Sequence, residues 1–292
     1  MKWEKEALER MEQVPVPPVM ARYAKLDAEM RTRAKGLEQV TADIVFETEK
    51  GYTSAFGAEA VATITAMSEG KDAGLPDEFY EEDDDDDLFS IYLCPAKYGA
   101  CTAEKRDMMR NILNPLRAKL KALNITQIIM DKSRPPLMSH HAFTVSIIGC
   151  PNCCLSPYFS DFGIICTYWP RIHNDECVQC GACANYCTEK AIRFEGGETI
   201  IDYNKCVKCG GCINKCPVDA LSIDQKCYKV VVGGCGSRHP QLAQTVTECT
   251  DVAGVLKTLE KVLLLFKEVS TDGREISFHE VIKKHGVAEL RI

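Results

Sequence analysis

One pattern limits this chain more than any other: a cysteine-rich stretch that occurs twice. Residues 175–192 read DECVQCGACANYCTEKAI and residues 204–221 read NKCVKCGGCINKCPVDAL, at a fixed offset of 29 residues. A repeat of this kind reveals architecture before any single element does. Each copy carries three cysteines two residues apart and a fourth after three more, so the polypeptide must wrap its thiols around something. Seventeen cysteines in 292 residues make that something the dominant question. The start, MKWEKEALER, is a charged amphipathic segment with no apolar leader, so a cytoplasmic location is expected. Disulfides do not persist in a reduced cytosol, and metal ligation is the better reading of the cysteines.

The two runs are Cys177-x-x-Cys180-x-x-Cys183-x-x-x-Cys187 and Cys206-x-x-Cys209-x-x-Cys212-x-x-x-Cys216-Pro217. This is the spacing of bacterial two-cluster ferredoxins, in which the fourth cysteine of each run reaches the other cluster. The expected ligand sets therefore cross. Cys177, Cys180, Cys183 and Cys216 hold one [4Fe–4S] cluster, and Cys206, Cys209, Cys212 and Cys187 hold the second. Thr188 stands where proline usually follows the fourth cysteine, but proline is not a ligand. Zinc knuckles are the alternative, and they normally show two C-x-x-C pairs, often with histidine.

A further group lies upstream. Cys94-Pro-Ala-Lys-Tyr-Gly-Ala-Cys101 precedes Ile147-Ile-Gly-Cys150-Pro-Asn-Cys153-Cys154 by about one long helix. A C-x6-C pair and a C-x3-C pair, each following a short strand, can close another [4Fe–4S] site with Cys94, Cys101, Cys150 and Cys154.

At these residues the chain resembles the sulfite and nitrite reductase family, in its sirohaem/[4Fe–4S] half-module. The matching segments are CPAKYGAC, SIIGCPNCCLSPYFSDFGI and, after the repeat, YKVVVGGCGSRHP. The inserted two-cluster ferredoxin resembles that of dissimilatory and anaerobic sulfite reductases. The resemblance implies three [4Fe–4S] clusters and a sirohaem bridged to one of them through Cys154. It also implies stepwise one-electron reduction of sulfite or nitrite, fed by a ferredoxin-like donor. The family places a lobe rich in arginine and lysine before the first cysteine pair, and residues 51–90 carry no match to it. The family fold is a pseudo-dimer of two such halves, so one half implies a second copy or a partner subunit. The first 45 or so residues are similar to the small domain ending a catalytic subunit of dark-operative protochlorophyllide reductase.

The expected fold class is α+β: a sulfite-reductase-like half-module with an inserted bacterial 2[4Fe–4S] ferredoxin domain and a small N-terminal helical module. The expected boundaries are residues 1–50 for the helical module, 51–90 for an acidic linker, 91–171 with 227–292 for the reductase-like domain, and 172–226 for the insert. Helices are expected over 3–13, 19–35, 102–123, 252–269 and 278–284, and strands over 91–93, 124–130, 143–148 and 228–232. Asp77, Glu78 and residues 81–87 hold nine acids, without which the net charge of −7 would be +2. That tract reads as a solvated loop. There is no basic stripe for nucleic acid, and no apolar run approaches the length of a membrane span.

The remaining candidates are basic. Lys132 and Arg134, with His140 and His141, precede the CPNCC strand and are candidates to face an anionic substrate, although solvated loop residues are the plainer reading. Arg171 with His173, and Arg238 with His239 beside Gly233-Gly234, are candidates to hold cofactor carboxylates. Cys153, Cys166, Cys227, Cys235 and Cys249 read as small hydrophobes. Two functions fit: a reductase of the sulfite/nitrite type, or a non-catalytic electron-transfer subunit with three clusters and no haem. A zinc-stabilised binding module fits the cysteine spacing less well.

Overall fold

The computed structural model describes residues 1–14, 21–56, 87–98, 101–133, 141–270 and 276–291. The acidic run from Glu81 to Asp86, Arg134 and His140 lie outside the described residues. The chain divides into two compact units, Met1–Glu81 with Pro95–Ala103, and Glu82–Cys94 with Glu104–Ile292.

The first unit is built from β1 (Lys2–Trp3), α1 (Lys5–Met11), α2 (Ala21–Ala34), β2 (Gln39–Val40) and α3 (Ala42–Phe56). The two short strands pair in parallel. Ala7, Met11, Ala24, Ala28, Ile44 and Val45 form its core. Small alanines at the helix contacts let the three helices approach closely. The Trp3 indole N–H donates to Glu29 at 3.2 Å, and Arg10 pairs with Glu49 at 2.8 Å.

The second unit centres on a five-stranded sheet ordered β3–β4–β5–β8–β9. Its strands are β3 (Phe89–Leu93), β4 (Phe143–Ile148), β5 (Phe162–Ile172), β8 (Leu221–Val232) and β9 (Gln244–Thr250). The first two pairings are parallel and the last two antiparallel. Helices and a mixed sheet in one unit make the chain α+β. Val145, Ile147, Ile164, Val230 and Val232 are buried β-branched residues that suit a covered sheet. They pack with two amphipathic helices, α4 (Ala103–Ala122) and α7 (Val252–Glu268), whose buried faces repeat at three- and four-residue spacing. Asp251 caps α7 by accepting from the Gly254 N–H at 2.8 Å. The last helix, α8 (Phe278–His285), starts with a Ser277–Glu280 capping box.

The segment expected as a strand over 124–130 is instead α5 (Ile125–Lys132). Its β-branched run suggests a strand, but Ile125, Ile128 and Ile129 fall on one helical face and are all buried. Asn124, with φ of 52°, reverses the chain between α4 and α5.

β5 and β8 form a long antiparallel ladder, from Phe162 opposite Val232 to Ile172 opposite Leu221. Residues 173–220 leave the sheet at its far end, and His173 N–H to Ala220 C=O, 2.9 Å, closes the neck. Within this excursion lie the five-residue α6 (Ala182–Tyr186) and a hairpin of β6 (Ile192–Glu195) and β7 (Glu198–Ile201).

Candidate metal centre

The excursion has almost no aliphatic core. Cys183, Ile192, Ile201, Cys212 and Leu221 are its buried cluster, so cysteines occupy positions where another small unit would place leucines. Two cavities open there. The larger, about 520 Å³, is lined by Cys187, Cys206, Cys209 and Cys212, together with Pro151, Asn152 and Tyr186. The smaller, only about 10 Å³, is lined by Cys177, Cys180, Cys183 and Cys216. Each cavity thus gathers three cysteines of one run and the fourth of the other. Gly211 faces the larger cavity's wall with no room for a side chain, since a Cβ would lie 2.4 Å from the Tyr186 ring.

The chemistry of these linings is uniform. Four sulfurs and no imidazole in each set suit soft, thiolate-bound metal. Among the described residues, no three histidine, cysteine or acidic side chains converge tightly enough for a single ion. A cubane takes four thiolates set farther apart than the ligands of one ion, and three cysteines of one run with the fourth of the other are the ligand pattern of such a group. Backbone N–H groups also point at sulfur. Ala191 N–H donates to Cys187 and Lys208 N–H to Cys206, both at 3.4 Å. Burial pushes the thiols of Cys183 and Cys206 up and that of Cys212 to about 12. Burial disfavours the bare thiolates, and the positive charge of a bound metal would offset that cost.

A second cysteine group sits at the end of the sheet. β3 and β4 run in parallel, so Cys94 and Cys150 emerge on the same edge, 4% and 5% exposed. Cys94 N–H donates to Ile147 C=O at 3.1 Å, and Gly149 N–H donates to the Cys94 sulfur at 3.2 Å. The chain then turns through Cys153, whose φ is 50° and whose N–H donates to Cys150 C=O. Burial, then the sulfurs of Cys150, Cys154 and Cys94, raise the Cys153 thiol. Cys154 is exposed. Cys101 is half-buried and belongs to the stretch Pro95–Ala103 of the first unit.

Among the described residues, the basic candidates do not assemble around these cysteines. Lys132 is 8% exposed, and its ammonium donates to Lys267 C=O at 2.9 Å and to Val269 C=O. It caps the open carbonyls at the end of α7, where a cation is favoured, and so faces no substrate. Arg171 pairs with Asp224 at 3.4 Å on the surface, and His173 bonds Ser222 at 2.9 Å. Arg238 and His239 are exposed. Cys227 and Cys249 are not the separate small hydrophobes expected of them, because they join β8 to β9 as a disulfide. Cys166 is fully buried, with burial holding its thiol well above the usual range. Cys235 bonds the Ser237 hydroxyl at 2.9 Å. Sequence reasoning passes over Tyr168, a buried residue of β5 that touches both cysteine groups.

Comparison with known proteins places these features in context. A family model described as the nitrite and sulphite reductase 4Fe–4S domain matches residues 117–291. The coenzyme F420-dependent sulfite reductase of Methanocaldococcus jannaschii is 32% identical over 168 residues, 57% of this chain and 26% of the relative. A subunit of the anaerobic sulfite reductase of Salmonella typhimurium is 42% identical over 53 residues, 18% of this chain and 15% of that protein. The crystal structure of dissimilatory sulfite reductase I aligns with a TM-score of 0.39 and 22% identity over 51% of this chain and 41% of its own. The chain thus spans about a quarter or less of the length of these two curated relatives. Among the described residues, no helix is long and apolar enough to cross a membrane.

Proposed function

The chain belongs to the nitrite and sulphite reductase 4Fe–4S domain family, and from that premise we propose that it is an iron–sulfur oxidoreductase of the sulfite/nitrite reductase type with three [4Fe–4S] clusters. The observation that carries the reading is the pair of cavities in the excursion, each lined by a crossed set of four cysteines. Cys177, Cys180, Cys183 and Cys216 hold one cluster. Cys206, Cys209, Cys212 and Cys187 hold another. Cys94, Cys150 and Cys154 hold the third, with Cys101 assigned from sequence spacing alone. Bound clusters supply one-electron redox chemistry.

The chain's own residues prepare these places. Buried Cys94 and Cys150 keep one side of the third centre dry, while exposed Cys154 faces outward. Cys154 would be the residue that holds a sirohaem on the outward side, and the bound group would supply the reduction of sulfite or nitrite. In this reading residues 172–226 are a two-cluster ferredoxin-like insert in a reductase-like half-module, 91–171 with 227–292. Residues 1–50, with the end of α3 to Phe56, make a helical module, and the acidic tract that follows joins it in sequence to β3. Electrons enter from a ferredoxin-like donor, and the assembly is completed by a second copy or a partner protein. A cytoplasmic location suits the cysteines outside the Cys227–Cys249 disulfide.

One observation favours a second reading. Lys132 is committed to helix carbonyls, and Arg171 and Arg238 stand on the surface, so these three candidates do not form a basic pocket for sirohaem carboxylates or an anion. A subunit with three clusters and no haem would then pass electrons to a partner enzyme.

Anaerobic purification followed by an absorbance spectrum tests the proposal. A tetrapyrrole band, with reoxidation of the reduced protein by sulfite or nitrite, upholds the reductase. Iron–sulfur absorbance with neither property leaves the electron-transfer subunit. Zinc in place of iron removes both.

A further inference from the structure

Tyr168 lies near the middle of β5 and is 2% exposed. Its hydroxyl donates to Gly149 C=O at 3.0 Å, one residue before Cys150. Gly149 in turn donates its N–H to the Cys94 sulfur at 3.2 Å. One side chain thus pins the residue that serves both buried cysteines of the sheet-end group.

The backbone of the same residue meets the other group. Tyr168 N–H donates to Lys208 C=O at 2.8 Å, and Tyr168 forms an isolated bridge with Cys209. Gly210 follows with φ of 69°, and a Cβ there would lie 3.0 Å from the Tyr168 Cβ. The loop from Cys206 to Cys212 is therefore laid directly against this tyrosine. Lys208 also places its ammonium 4.9 Å over the neighbouring Trp169 ring, which holds the same turn from the other side.

We infer that Tyr168 is a positioning residue that locks the Cys150 turn and the Cys206–Cys212 loop into one register and tunes the sheet-end centre. The inference rests on the three-cluster reading proposed above. Hydrogen bonds toward cluster sulfur stabilise the more negative, reduced state, and outer-shell partners commonly change such sites strongly. Removing the hydroxyl leaves Gly149 C=O without its donor and loosens the Gly149 N–H to Cys94 contact. The potential of the sheet-end centre should fall, while the centre at Cys177, Cys180, Cys183 and Cys216 keeps its own.

The test compares Tyr168→Phe with Tyr228→Phe in the anaerobically purified full-length protein. Tyr228 is a matched control, a second buried tyrosine whose hydroxyl donates to Met108 C=O at 2.8 Å. Iron content and an EPR-monitored redox titration are read on both, and the sheet-end signal is identified as the one that Cys150→Ser abolishes. The expected result is a more negative potential for that signal in Tyr168→Phe alone. Loss of about four irons from that centre in Tyr168→Phe alone would also uphold the anchoring role. Unchanged potentials with full iron would overturn it. Equal shifts in both variants, or shifts spread over every centre, would also overturn it as general loosening of the core. About eight irons in the unaltered chain, with no signal that Cys150→Ser abolishes, would overturn the three-cluster reading itself, which separates the two failures.

Discussion

The excursion over residues 173–220 and the end of the main sheet both present cysteines, but they are built in opposite ways. In the excursion, two cysteines are part of a five-residue buried cluster, and the elements around them are one helix of five residues and one short hairpin. At the sheet end, Cys94 and Cys150 are appended to parallel strands, and β4 buries Val145, Ile147 and Ile148 without them. A unit of about 50 residues with so little aliphatic core does not fold by burial alone. Its order must come largely from what the cysteines hold. The sheet needs no such help. In the three-cluster reading proposed above, metal is structural in the first region and an addition to a finished scaffold in the second.

Iron removal should break this comparison open most visibly. Anaerobic chelation is expected to make residues 173–220 exchange amide hydrogens freely and become open to proteolysis, while β3, β4 and β5 stay protected. Equal loss of protection in both regions would remove the distinction. Single cysteine changes sharpen it. Cys209→Ser and Cys150→Ser should each release about four irons per chain, but only Cys209→Ser should expose the excursion to protease.

Smaller effects probe the scaffold. Gly234 sits where a Cβ would lie 2.3 Å from Tyr158 C=O and 2.7 Å from Ser160 C=O, both backbone atoms that cannot swing aside. Gly234→Ala should cost about 3 kcal/mol or more in chemical denaturation of the sheet unit. The Cys227–Cys249 bond closes a 22-residue separation between β8 and β9. Its reduction should lower stability by about 3 kcal/mol at most, with the excursion clusters retained.

The mildest expected change is a pH dependence. Burial pushes the Asp161 carboxyl up to about 6, although Thr144 donates to it from both backbone N–H and hydroxyl at 2.8 Å. A raised carboxyl favours the protonated folded state. Its contribution is therefore full below the unfolded value of about 4 and lost as pH rises through about 6. Asp161→Asn should flatten the stability profile across that window, read as Tm against pH with the excursion unaffected.

How much was legible depends on how local each feature is. The cysteine spacing grouped eight residues into the two sets that line the two cavities, because those sets are assembled within one short stretch of chain. The amphipathic helices and the strand 143–148 were legible from periodicity for the same reason. Tertiary context decided the rest. Residues 125–132 became a helix because Ile125, Ile128 and Ile129 pack inward together. Lys132 has the chemistry of a substrate ligand, but α7 ends beside it and takes its ammonium. The Cys227–Cys249 pair depends on the β8–β9 register, which no spacing encodes. Tyr168 carries no motif, and its importance appears only when two distant loops converge on one strand.

In the proposed reading this one chain carries three [4Fe–4S] centres, two in the excursion and one at the sheet end. Iron and acid-labile sulfide per chain, with Mössbauer spectroscopy on protein purified without oxygen, tests it most directly. The account predicts about twelve irons, all in cubane clusters, falling to about eight in Cys150→Ser with both excursion centres intact. About eight irons in the unaltered chain, unchanged by Cys150→Ser, would contradict it.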